Sequence, residues 1–229
     1  LDCLVATTMS LDIQAVIPTL LQADLPERKK FSTNEAAARL AYLAEQKRCM
    51  IFYDGKKGCC CDNRIDSRLV KAVLNMCHPV YCRSVFHPKI ILAGFRRKAD
   101  GNCRYRLQVS SKNLTASNVF EVCMQLETEP CGGQQTVNHN ISQFLSFLRK
   151  HHDSELLDRA IEELKTLRFT ADQAEDVEVT FSGFELQKTQ ETLLEALGKD
   201  LNHVPEGKNF LILSPDYETS SDMLKGFPV

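Results

Sequence analysis

Short apolar runs alternate with amphipathic stripes along the first two thirds of the chain, and this alternation constrains the fold more than any other feature. Residues 1–8 have the continuous apolar character of a buried strand. Residues 12–22 follow with helical spacing. The apolar positions of that stripe are Ile13, Val16, Ile17, Leu20 and Leu21. The chain therefore opens as a strand followed by a helix, which is typical of α/β folds.

The same alternation continues through the next segments. An Ala-rich helix is predicted over residues 35–46, and its N-cap candidates are Ser32, Thr33 and Asn34. The remaining elements of this part are a strand at 49–53, a helix at 66–76 and a strand at 80–84.

A β-hairpin is predicted in the middle of the chain. Strands at residues 86–95 and 104–109 flank Asp100-Gly101, a dipeptide that favours tight turns. A further strand is expected at 121–127, and a helical region with a break near Asp153 at 141–167. Together these elements predict an α/β fold with a mixed β-sheet flanked by helices.

The end of the chain resembles its beginning. Residues 209–214 form an apolar run that leads into polar residues, as the first strand does, after a predicted strand at 176–184 and helix at 189–201. We therefore expect residues 1–170 to form one repeat with a helical connector, and residues 171–229 to begin a second, truncated repeat.

Composition narrows the environment and the partners. A net charge of -2 gives no overall positive field, so any phosphate affinity must be local. The sequence shows no secretory leader and no long apolar span, so the ten cysteines are expected to be reduced, in the cytoplasm or nucleus and with no membrane partner. Cys59, Cys60 and Cys61 are adjacent rather than spaced as C-x-x-C pairs, so no zinc site is predicted.

His87 and Lys89 lie two residues apart in the predicted hairpin, which would place them on one face of a strand. A turn centred near Asp100-Gly101 would pair His87 with Asn113 and Lys89 with Ser111. These four polar side chains would then converge. The apolar floor expected beneath them consists of Ile91, Ala93, Leu107 and Val109.

These residues carry a family resemblance. His87-Pro-Lys89, a hairpin, and then Ser110-Ser111-Lys112-Asn113 resemble the H-x-K…G-S-x-N signature of the phospholipase D superfamily. The style is similar to that of phospholipase D-like nucleases of bacterial restriction and helicase systems and to tyrosyl-DNA phosphodiesterases. Two positions depart from the signature. Ser110 replaces the usual Gly, and Gly94 stands where many members have Asp. Tyrosyl-DNA phosphodiesterases also lack that Asp.

The resemblance implies a phospholipase D-like fold and a phosphodiesterase that needs no metal and no cofactor. His87 would attack phosphorus to give a phosphohistidine, while Lys89 and Asn113 hold the non-bridging oxygens. Ser111 would donate a hydrogen bond within the pocket or to the phosphate. Glu121 either orients the His87 ring or caps the next strand at the surface.

The superfamily site contains two such motifs, and these residues hold one. The second half-site is expected either from residues beyond Val229, the alternative we favour, or from a second copy of the chain. The partner would be nucleic acid, with DNA favoured over RNA. Local positive charge could come from the basic residues of this region, although they would equally suit a solvated hairpin: Arg96, Arg97, Lys98, Arg104, Arg106 and Lys112.

Two functions therefore stand open at this point. One is a metal-independent nuclease or DNA-end processing enzyme acting through His87. The other is a non-catalytic module that keeps the phosphate pocket to bind nucleic acid or a protein. A lipid phosphodiesterase is disfavoured because no amphipathic basic helix or apolar anchor is evident.

Overall fold

The chain adopts an α/β fold in the computed structural model, which describes residues 1–27, 30–82, 85–116, 121, 123–130 and 139–170. The strands are β1 (Cys3–Thr8), β2 (Leu11–Asp12), β3 (Cys49–Asp54), β4 (Cys59–Cys60), β5 (Cys77–Val80), β6 (Ile90–Arg96), β7 (Cys103–Ser110), β8 (Cys123–Pro130) and β9 (Leu167–Thr170). The helices are α1 (Ile13–Asp24), α2 (Thr33–Glu45), α3 (Ser67–Leu74), α4 (His139–His151) and α5 (Glu155–Leu164).

Seven of the strands form one mixed sheet in the order β5-β3-β1-β6-β7-β8-β9, and β2 and β4 form a small second sheet. Pairs β1–β3 and β3–β5 are parallel, which requires the crossover helices α1, α2 and α3. The pairs from β1–β6 onward to β8–β9 are antiparallel. The predicted mixed sheet flanked by helices is confirmed at this level.

Helices cover both faces of the sheet. Leu4, Ala6 and Ile51 belong to the core that β1 and β3 share with α1, α2 and α3. Strand side chains alternate, so Phe52 points to the opposite face. There its ring lies 5.5 Å from that of His78, which stacks at 3.8 Å on the ring of His152, directly after α4.

The helix starts were predicted well because their caps are local. Ser32 begins α2 with a reciprocal capping box, in which its backbone N–H donates to the Glu35 carboxylate at 2.9 Å. Asp12 caps α1 by accepting from the backbone N–H of Gln14 at 2.9 Å, and Asp66 caps α3 in the same way. The predicted break near Asp153 is confirmed between α4 and α5.

Two strand predictions were wrong. Of the described residues in the strand expected at 80–84, only Val80 belongs to a strand, and the strand expected from Phe86 begins only at Ile90. Pro88 has no N–H to donate to a ladder, which disfavours sheet pairing there. The backbone N–H of Phe86 instead donates to the buried carboxylate of Asp54 at 2.8 Å. His87 and Lys89 therefore lie in an irregular segment at the entrance to β6 rather than within a strand.

The predicted hairpin is confirmed, but its register was predicted one residue away. Ile90 pairs with Val109, and the backbone N–H of Ser110 donates to the carbonyl of Lys89 at 3.0 Å. The turn extends over residues 97–102 and closes through Arg97 N–H to the Asn102 carbonyl at 2.9 Å. The turn is longer than the one predicted at Asp100-Gly101 and has a different centre, so each β6 residue pairs one position earlier along β7 than predicted. Such a slip exchanges the faces on which side chains lie.

The helical region expected at 141–167 ends with α5 at Leu164, and Leu167–Thr170 forms a strand that was not predicted and that pairs with β8. The strand at 176–184, the helix at 189–201, the strand at 209–214 and the second repeat lie outside the described residues. Among the residues that are described, no helix has both the length and the apolar character needed to cross a membrane.

Candidate functional site

The loop that enters β6 brings His87 and Lys89 into contact. The Lys89 ammonium lies 3.0 Å from His87 Nε2 and 3.2 Å from Nδ1, and it donates to the His87 carbonyl at 3.1 Å. An ammonium has only donors, so a ring nitrogen that accepts from it must carry a free lone pair. This contact therefore suits a neutral imidazole, the form in which histidine can act as a nucleophile.

The Asn113 side chain stabilises the turn that follows β1 through hydrogen bonds. Its Oδ1 accepts from the backbone N–H of Met9 at 3.1 Å and of Ser10 at 3.4 Å, and the Thr8 hydroxyl lies 3.2 Å away. Two N–H donors identify the facing atom as oxygen. The amide orientation is thereby fixed, and Nδ2 remains as the donor end of the side chain.

Thr8 ties the same region together from the other side. Its hydroxyl accepts from the backbone N–H of Leu114 at 3.0 Å and donates to the Ser10 carbonyl at 2.7 Å. The backbone N–H of Asp12 in turn donates to the Leu114 carbonyl at 2.8 Å. Thr8 was not among the predicted site residues, although a hydroxyl residue directly after an apolar strand run is a signal that could have identified it.

The remaining motif residues make local contacts. The Ser110 hydroxyl accepts from the backbone N–H of Lys112 at 3.0 Å, which bends the chain at the end of β7. The Ser111 hydroxyl donates to the Glu121 carboxylate. Glu121 therefore accepts a hydrogen bond from a residue of the motif, ten positions earlier in the chain.

Lys89, Ser110, Lys112 and Asn113 line one groove with a volume of about 970 Å³. The end of the groove that they form lies where β6 begins and β7 ends. From there the groove follows the face of β6 and β7 beside α1, whose wall residues include Ala15, Thr19, Gln22 and Ala23.

The floor of this groove differs from the apolar floor that was expected from the predicted register. Ile91 and Ala93 do line the groove, but their β7 neighbours on that side are Gln108 and Arg106. Leu107 is fully buried on the opposite face, as the register requires. The prediction for Leu107 and Val109 was therefore wrong, and the floor is half polar.

The basic tip of the hairpin does not lie beside the motif. Arg96 is the last residue of β6, about 20 Å along the strand from Lys89. The Arg96 guanidinium donates to Glu163 at 2.6 Å and to Asp2 at 3.0 Å, and these carboxylates raise its pKa. Arg97 pairs with Asp100 at 3.2 Å in the turn. Lys98 shares that turn and Arg104 pairs in register with Phe95, so the proximity expected for these basic residues is absent.

Gly94 occupies a position with no room for a side chain. A Cβ there would lie 2.8 Å from Cys3 Sγ and 2.9 Å from Cε1 of Tyr105. Burial also raises the pKa of the Cys3 thiol to about 11, so this neighbour is neutral. An aspartate would place a charge in a closed, uncharged contact. Packing therefore disfavours at Gly94 the aspartate that the phospholipase D-type signature often carries.

Two further clusters lie away from the groove. Asp2, Cys103 and Glu163 come close enough to surround an ion, but the Arg96 guanidinium bridges both carboxylates, so the cluster is an ion-pair network. A second cavity of about 1000 Å³ lies at the amino end of β3 and is lined by His78 and His152. Burial, with the nearby His152, lowers the pKa of His78 to about 4.

Comparison with known proteins identifies no family for this chain. No family model, no curated protein and no solved structure matches the chain. The class that the fold and groove define is an α/β domain with a mixed seven-stranded sheet and a polar groove at the ends of β6 and β7.

Proposed function

We propose that this chain supplies one half of a phospholipase D-type phosphodiesterase site that acts on nucleic acid, with DNA favoured over RNA. The observation that carries the proposal is that Lys89 contacts the His87 ring and also lines the groove end that contains Asn113. The cation that contacts the histidine thus lines the same groove as the amide, although the whole hairpin separates the two residues in sequence.

The chemistry follows from these groups. A His87 ring nitrogen forms a bond to phosphorus while the bond to the leaving oxygen breaks, and that oxygen takes a proton from the acid of the second half-site. Water then cleaves the phosphohistidine and returns His87 to its neutral form. Lys89 and the Nδ2 donor of Asn113 stabilise the charge that develops on the non-bridging oxygens.

Ser111 and Lys112 have supporting roles in this proposal. The Ser111 hydroxyl donates to the Glu121 carboxylate, which fixes the direction of the hydroxyl. Lys112 adds a second cation to the groove end. The second half-site comes from another segment of the protein or from a second copy of the chain.

The second candidate is a binding module without turnover. It is favoured by one specific observation: Asn113 Oδ1 is engaged by the backbone of Met9 and Ser10, so part of the motif serves the fold. Such a module would bind a phosphate at the same groove without forming a phosphohistidine.

Trapping of the intermediate separates the two candidates. The full-length protein is incubated with an oligonucleotide labelled at its internal phosphates, quenched rapidly in alkali and examined for a nucleotide phosphate adduct on His87 by mass spectrometry. His87→Asn should abolish both the label and strand cleavage, whereas His151→Asn, an exposed position on α4, should change neither. Full cleavage by His87→Asn would refute the proposal, and strand binding with no labelling would support the module.

A further inference from the structure

The groove has an unusual charge for this chain. The protein contains 30 acidic residues, yet the described residues that line the groove include no Asp or Glu and three cations, Lys89, Lys112 and Arg106. The cavity at the other end of the sheet instead mixes Arg149 and Arg159 with Asp2 and Asp158. The groove is therefore suited to an anion, most strongly at the motif end, because Glu127 pairs with Arg106 at the other end.

An aromatic ring lies at the far end of the groove. Phe95 lies on the same side of β6 as Ile91 and Ala93, is half-buried, and lines the groove about 20 Å from Lys89. The Arg106 guanidinium lies 6.0 Å from the centroid of the Phe95 ring. Glu127 holds that guanidinium through a 2.8 Å bond to Nε. This combination of ring and guanidinium is one that accepts a base by stacking.

We propose that the groove binds its nucleic acid as a single strand, with the reacting phosphate at Lys89 and Asn113 and a base several nucleotides away stacked on Phe95. This inference rests on the proposed function for the position of the reacting phosphate. The amides of Gln108 and Gln125 line the floor between the two ends and can donate to phosphate or base oxygens.

The form of the strand follows from the stacking site. In a duplex the faces of the bases are covered by their neighbours, so a protein ring gains access to a face only at a single strand or a flipped base. The cations contact phosphates whatever the strand form. Phe95 is thus the residue that distinguishes a single strand from a duplex.

The test measures equilibrium binding in the full-length protein with His87→Ala, which separates binding from turnover. Fluorescence anisotropy compares a labelled oligothymidylate, its duplex with oligoadenylate and an abasic strand of equal length. Phe95→Leu should weaken oligothymidylate binding about 10-fold and leave abasic-strand binding unchanged, because no base remains to stack. Phe95→Tyr keeps the ring and should bind as the parent does.

A second variant tests the groove independently of Phe95. Gln125→Glu introduces a carboxylate at an exposed floor position and should weaken both the thymidine and the abasic strands, since it repels phosphate. Gln46→Glu adds the same charge at the other cavity and should have no effect. Equal affinity for single strand and duplex, or unchanged oligothymidylate binding by Phe95→Leu, would overturn the inference, and so would unchanged strand binding by Gln125→Glu. Loss of turnover with His87→Asn, with those results, would leave the proposed function intact.

Discussion

The contacts of Asn113 lead to a prediction that separates its role in stability from its proposed role at the phosphate. Asn113→Ala removes the acceptor for Met9 N–H at 3.1 Å and Ser10 N–H at 3.4 Å. Leaving a part-buried donor without a partner costs about 1 kcal/mol or more, and the longer second bond contributes less, so we expect a loss of about 1–2 kcal/mol. Asn113→Asp keeps an oxygen at the same place and should retain the parent's stability.

Activity should respond differently from stability. Asn113→Asp loses the Nδ2 donor and brings a negative charge to the phosphate, so cleavage and strand binding should fall at least as far as in Asn113→Ala. Both variants would then lose activity, and only Asn113→Ala would lose stability.

The assay is urea unfolding followed by far-UV circular dichroism, because the chain has no tryptophan to report by fluorescence. Thr8→Val, alone and with Asn113→Ala, completes a double-mutant cycle, since the Thr8 hydroxyl lies 3.2 Å from Asn113 Oδ1. Unchanged stability of Asn113→Ala would refute the structural role of the amide. Full activity of Asn113→Asp would refute its role at the phosphate.

Three further outcomes are expected. Gly94→Ala should lower the free energy of unfolding by about 1–3 kcal/mol, and less in a Cys3→Ala background that removes the 2.8 Å contact with Sγ; equal losses in both backgrounds would contradict this packing account. The pKa of His78 falls from 6.5 to about 4, so the unfolded chain binds more protons between these values and stability decreases as pH falls through that window. Discounted for partial exposure, the loss by pH 5 should be about 1 kcal/mol greater in the parent than in His78→Gln, measured by urea unfolding at each pH. Cleavage should persist in EDTA, as the resemblance implies, and its loss there with recovery on adding Mg²⁺ would argue against this chemistry.

Much of the fold could be predicted from sequence because its signals are local. The capping box at Ser32, the apolar run at the start and the turn residues of the hairpin each act over a few positions. The identities of His87, Lys89 and the serine-rich segment that ends at Asn113 were also evident from their order and spacing. No register or packing was needed to propose them.

The groove itself was decided by tertiary structure. A hairpin register depends on the number of residues that its turn absorbs, and one residue of difference placed Arg106 and Gln108, rather than Leu107 and Val109, on the groove floor. The lock between Asn113 and the turn after β1 joins residues more than a hundred positions apart. The sequence by itself determined which groups the site can use. Only the folded sheet decided which of them meet, because face and neighbour depend on pairing between distant strands.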